Sequence, residues 1–325
     1  VSFAPDFLPE LTAPQVEAME PLWLAIFASP WFRGLAFVWG TLWGSFANVL
    51  IHRLPLGQSP VTPRSRCASC ERVIAWYDNV PLLSFLWLRG RCRHCKASFS
   101  LRYLVVEIAG GLLSFVLFFR HLLTPILRGS AVDMLDVVAW QLEFAFALAL
   151  IVVTYVDLDY WYIPPRVVLP LGLVGLLAAV IQPDLLGIGG LEALISALVG
   201  CFAVVSLRAF YLWWRKIEAI GLGDAYLLFM VGAFLGAHGL FFTIGAGAIQ
   251  ALLVAVPMRI LGVKLANREI HEVHGDAPEL GPPQEEATMM GTMVPFGPFL
   301  ALAALEALFF PELLATLAKY LRGEF

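Results

Sequence analysis

Eight apolar runs, at residues 34–51, 103–119, 137–156, 167–181, 193–214, 225–237, 240–263 and 294–317, constrain this chain more than any other feature. A helix of about 20 apolar residues crosses the roughly 30 Å hydrocarbon core of a bilayer. In lipid every backbone polar group must find its partner inside the structure, so runs of this length are read as helices. The expected fold class is an all-α polytopic membrane protein with about eight transmembrane helices. With 60% hydrophobic and only 14% charged residues, the composition excludes an ordinary soluble domain, and no nucleic-acid motif interrupts it. The fourth and sixth runs are short, so a tilt or a shared boundary would change the count by one.

Sidedness follows from the basic residues. Arg53, Arg64, Arg66, Arg72, Arg89, Arg91, Arg93, Lys96 and Arg102 stand against only Glu71 and Asp78, which places segment 53–102 on the cytoplasmic side. Residues 1–30 carry Asp6, Glu10, Glu17 and Glu20 with no Lys or Arg, as expected of a non-cytoplasmic tail. The first span, 31–52, then reads as an uncleaved one. Alternation puts the turn after Asp157, the turn before Asp224 and the loop 264–293 on the cytoplasmic side as well. In that loop His271 and His274 share a helical spacing, but their surroundings read as a solvated segment rather than a metal site.

Four of the five cysteines form two knuckles, Cys67-Ala-Ser-Cys70 and Cys92-Arg-His-Cys95, separated by 21 residues. A two-residue gap lets one tight turn aim two thiolates at one ion, and two such turns complete the tetrahedral shell of a structural zinc site. Disulfides are the alternative, disfavoured by a reducing cytoplasm. A filled shell holds a segment together and leaves no position for chemistry. Such a staple suits a loop too poor in apolar residues to fold unaided. Cys201, alone in an apolar run, reads as a packing residue.

Two acids lie where a membrane chain tolerates them least. Asp157 follows the run 137–156, and Asp224 stands in Gly221-Leu222-Gly223-Asp224 just before another run. Two carboxylates sharing a proton can activate water and protonate a leaving amide nitrogen, the chemistry of an aspartic protease. The competing reading is that each acid caps a helix or pairs with Arg166 or Arg215. Asp159 ranks second to Asp157. Glu107, Glu143, Arg208 and Glu306 fall in or near apolar runs and each needs a partner or a purpose. Gly232, Gly236, Gly245 and Gly247 read as close-packing positions between helices.

Together these residues match a known pattern. It includes Gly44-Ser-Phe-Ala-Asn48-Val-Leu-Ile-His52-Arg53-Leu-Pro55, Ser65-Arg66-Cys67, Asp78-Asn79-Val80-Pro81-Leu82-Leu83-Ser84 and Leu88-Arg89-Gly90-Arg91-Cys92. It continues with Ser100-Leu101-Arg102-Tyr103, Glu107, the two aspartate motifs and Pro295-Phe296-Gly297-Pro298-Phe299. In these the chain resembles the type IV prepilin peptidases, bifunctional leader peptidases and N-methyltransferases of the bacterial inner membrane.

The resemblance implies cleavage of the leader of type IV prepilins or pseudopilins on the cytoplasmic side, then methylation of the new amino terminus from S-adenosylmethionine. It implies Asp157 and Asp224 as the catalytic pair, Cys67, Cys70, Cys92 and Cys95 as zinc ligands, and Gly90 as a candidate for the methyl-transfer region. On this reading 53–102 is the zinc-binding, methyltransferase loop and 103–325 the transmembrane peptidase core, with the lipid bilayer and the prepilin as partners. Two positions depart from the family: Pro165 stands where Asp or Asn is usual, and Tyr226 where Lys is usual. A non-enzymatic transporter or pilus-assembly protein with a zinc docking module remains the alternative, as does a peptidase for archaeal-type preflagellins.

Overall fold

A computed structural model describes residues 26–27, 29–216, 221–262 and 294–311. Most of the tail 1–30 and the whole of the loop 264–293, with His271 and His274, lie outside the described residues. Among those described, the chain is helical, with two isolated antiparallel bridges and no longer strand.

Helix α1, Pro30–Arg53, starts at Ser29, whose hydroxyl accepts from the Phe32 N–H, with Pro30 at the first helical position. A small module follows, containing the short α2, Leu83–Leu88. Helix α3, Leu101–Phe118, continues through a widened turn at Phe119–Leu123 into α4, Thr124–Leu127. Helix α5, Met134–Tyr160, opens on a reciprocal capping box between Asp133 and Asp136. Then come α6, Pro165–Ile181; α7, Gly190–Arg215; α8, Leu222–Ile260; and α9, Gly297–Phe309.

Five helical stretches are long and apolar enough to cross a membrane: Pro30–Arg53, Leu101–Leu127, Met134–Tyr160, Gly190–Arg215 and Leu222–Ile260. Pro165–Ile181 and Gly297–Phe309 are shorter apolar helices. The chain is a multi-pass membrane protein, all-α among the described residues. Helix α8, 39 residues from end to end, takes in the run 225–237 and most of the run 240–263 as two helices joined at a kink. A straight helix of that length would measure about 58 Å, nearly twice the hydrocarbon thickness. Gly236, at φ 63° and ψ −165°, breaks it into two arms. Only a residue without a side chain enters that backbone region readily. Glu192 of α7 seats the break, its Oε1 accepting from the Ala237 N–H at 3.3 Å.

The packing has two halves and a centre. Helix α1 packs on α3, and α8 packs on α6, α7 and α9. Helix α5 touches both groups and is the most enclosed, burying Phe144, Phe146, Leu150, Val153 and Val156. Gly232 and Gly247 are close-packing positions, against Ser196 and Leu300 respectively, whereas Gly245 faces open space and Gly236 is the break.

Charges inside the apolar helices are matched. Glu143 meets His121 at 2.8 Å and Arg120 at 3.7 Å, and Glu306 accepts from Gln250 at 2.8 Å. Glu107 reaches the module, accepting from the Leu82 N–H at 2.8 Å. Burial would otherwise leave each carboxylate at a cost of several kcal/mol, of the order.

Candidate active site and metal centre

Each cysteine knuckle is built by the same backbone device. Cys67 donates to the Arg72 carbonyl and accepts from Glu71, while Cys92 donates to the Ala97 carbonyl and accepts from Lys96. The residue after each second cysteine takes a left-handed conformation, Glu71 at φ 55° and Lys96 at φ 62°. The bridges Arg66–Val73 and Arg91–Ser98 close the two loops.

The four sulfurs converge, all within 4.8 Å of one another, with Cys67 Sγ and Cys95 Sγ 3.7 Å apart. A tetrahedron with bonds of about 2.3 Å has an edge of about 3.8 Å, so the set fits one tetrahedral thiophilic ion. No disulfide forms among them. Backbone N–H groups of Cys95 and His94 pull the Cys92 thiol down to about 6. At Cys95 the Ala97 N–H acts the same way but is outweighed by burial and the neighbouring thiols, which push that group up to about 11. One divalent ion held by Cys67, Cys70, Cys92 and Cys95 would offset the charge of four thiolate ligands.

Gly90 sits at φ +64° in the turn that enters the second knuckle. Its N–H donates to Phe85, its carbonyl accepts from Phe99, and a side chain there would strike the Phe85 ring. The position therefore has a folding reason for glycine. Phe99, which Gly90 holds, also lines a cleft of the module with Arg72, Asp78, Arg93 and His94.

The aspartates come from opposite ends of two helices. Asp157 lies in the last turn of α5, which Trp161 ends in a left-handed conformation by donating to the Asp157 carbonyl at 2.9 Å. Asp224 lies in the first turn of α8, where the helix dipole favours negative charge. The Asp157 carboxylate is buried and accepts from the Gly297 N–H at the start of α9, at 3.0 Å. A Cβ on Gly297 would lie 2.6 Å from Asp157 Oδ2, so the absence of a side chain permits the contact.

Ile163 joins these parts. It packs against Gly297 beside Asp157 and against Gly223 beside Asp224. Among the described residues neither carboxylate has an ion-pair partner, so pairing with Arg166 or Arg215 is not what holds them. Asp159 differs: it pairs with Arg102. Pro165 is the first residue of α6, and Tyr226 packs half-buried against the core.

Gly297 is the site residue whose part the residue pattern alone did not reveal. It stood in the matched motif, but nothing local in Pro-Phe-Gly-Pro announces a contact 140 residues away.

Comparison with known proteins gives a consistent picture. Residues 38–121 match the Bacterial Peptidase A24 N-terminal domain, and residues 144–256 match the Type IV leader peptidase family. A protein of Myxococcus xanthus named prepilin leader peptidase/N-methyltransferase is 35% identical, over 86% of this chain and 90% of the relative. Proteins of the same name from Aeromonas salmonicida and Pseudomonas aeruginosa are 34% and 31% identical, over 86% and 83% of this chain and 91% and 87% of the relatives. No solved structure matches.

Proposed function

Because the chain belongs to the type IV leader peptidase family, we propose that it is a membrane aspartic endopeptidase that removes the leader of type IV prepilins or pseudopilins and then N-methylates the new terminus. Its setting is the bacterial inner membrane, with the catalytic end facing the cytoplasm, as the basic residues of 53–102 suggest. Asp157 and Asp224 are the catalytic pair in this reading. The observation that carries it is two carboxylates, from the end of α5 and the start of α8, gathered on either side of one residue, Ile163, and free of ion-pair partners among the described residues.

The chemistry follows from sharing a proton. The ionised carboxylate takes a proton from the water that attacks the scissile carbonyl while the protonated one gives its proton to the carbonyl oxygen; on collapse the first passes its acquired proton to the leaving amide nitrogen and the second takes back the hydroxyl proton, which restores the pair. Titration belongs to the pair rather than to either residue. The Gly297 N–H fixes the rotamer of Asp157, and the absence of a side chain at Gly223 lets Ile163 pack next to Asp224.

Cys67, Cys70, Cys92 and Cys95 would hold a structural zinc ion, which brings folding energy and leaves no open position for substrate. S-adenosylmethionine is the methyl donor by family membership. Gly90 stays the candidate for the methyl-transfer region, beside the module's cleft lined by Arg72, Asp78, Arg93 and His94. Family membership does not favour the transport alternative.

Mass spectrometry of a prepilin incubated with the purified protein tests the reading. Asp157→Asn and Asp224→Asn should each lower leader removal on the order of 10²–10⁴-fold. Full activity in either variant would refute the assignment.

A further inference from the structure

Arg102 stands two residues beyond Ser100, the N-cap of α3, and three beyond Phe99, whose N–H donates to the Gly90 carbonyl at 2.7 Å. The second knuckle, closed by the bridge Arg91–Ser98, is thus joined to Arg102 by a very short stretch of bonded backbone. From there the guanidinium reaches across to the end of α5. It donates through one nitrogen to the Asp159 carboxylate and through another to the Tyr155 carbonyl at 3.0 Å, and it lies 4.3 Å from the centroid of the Tyr155 ring.

Residues 155 and 159 are one helical turn apart and share a face, while residue 157 lies about 200° round from 155 and points the other way. The last turn of α5 is therefore gripped from both sides, by Arg102 on one face and by Gly297 on Asp157 at the other. A forked cation that holds a carboxylate, a carbonyl and a ring together fixes the orientation of that turn as one contact would not. A cation there also suits the negative end of the helix.

We propose that Arg102 is a positioning residue: it ties the cysteine module to the last turn of α5 and thereby sets the orientation of Asp157. This rests on the reading of Asp157 as catalytic. It makes the two matched halves of the chain mechanically dependent, since the module's exit and the catalytic turn move as one piece.

The test uses the full chain in lipid nanodiscs. Arg102→Ala should lower kcat for leader cleavage by about 10–100-fold with KM changed by less than about two-fold, because geometry and not substrate contact is lost. Arg102→Lys keeps the charge but not the fork and should recover part of that rate. Hydrogen–deuterium exchange should rise in both variants, Arg102→Ala and Asp159→Asn, across residues 155–161 and also across 90–100. Unchanged kcat, or faster exchange confined to one segment, would overturn the proposal. If Arg102→Ala fails to fold, Asp159→Asn carries both readouts. Should the wild type cleave no prepilin, the functional reading fails, and exchange still decides whether the tether exists.

Discussion

The module between α1 and α3 and the helix α5 solve the same problem by opposite means. Between Arg53 and Arg102 the only buried hydrophobic residues are Cys67 and Cys92, whereas α5 alone buries 15 of its 27 residues. The module's core is its sulfur cluster, and its shape rests on a few local bonds. The bundle's shape is spread over many van der Waals contacts, none decisive. A segment of the first kind fails as a unit when one bond set is removed; the second kind degrades by increments.

The largest break in that contrast should come from the thiolates. Cys92→Ser, or a strong chelator, removes an ion whose apparent binding energy in small sites is about 10–16 kcal/mol, so limited proteolysis should cut within 60–100 while the bundle stays intact. Simultaneous loss of both regions would show that they are not separate in kind. Next comes Gly297→Ala, which places a carbon against Asp157 Oδ2. Leader cleavage should fall about 100-fold, with a stability loss of only about 1–3 kcal/mol in a thermal melt. Activity lost only in proportion to stability would make Gly297 another packing position.

The smallest effect belongs to Asp78, whose carboxylate accepts from Arg93 Nε at 2.8 Å. The Arg93 guanidinium holds this carboxyl below the usual carboxylate range. Its contribution is therefore complete above about pH 4 and is lost only as pH falls through the lowered value. Asp78→Asn should raise hydrogen exchange at Trp76–Asn79 slightly between pH 5 and 8 and leave peptidase activity unchanged. A pH-dependent difference within that window would contradict the sign of the shift.

What could be read in advance divides along the same line. Apolar runs declare helices because lipid forbids the alternatives, and paired cysteines declare a knuckle because the spacing is itself the geometry. Asp157 and Asp224 could be singled out because charge beside apolar runs is costly. The kink in α8 could not be placed in advance: two apolar runs announce two arms, but only the backbone conformation at Gly236 shows where they meet. Nor could Arg102 be linked with Asp159, or Glu107 with the Leu82 amide, since pairings between distant segments leave no periodicity behind. Pro165 and Tyr226, which depart from the family, are accommodated as a helix start and a packed ring.

The interruption at Gly236 has a mechanical meaning. An unbroken rod would transmit any shift at its far end straight to Asp224; a jointed one isolates the acid from disturbances in the arm that rests on Leu300. Because Glu192 holds the joint through the Ala237 N–H, the arm that carries Asp224 has a seating of its own, separate from the hold of α9 on Asp157.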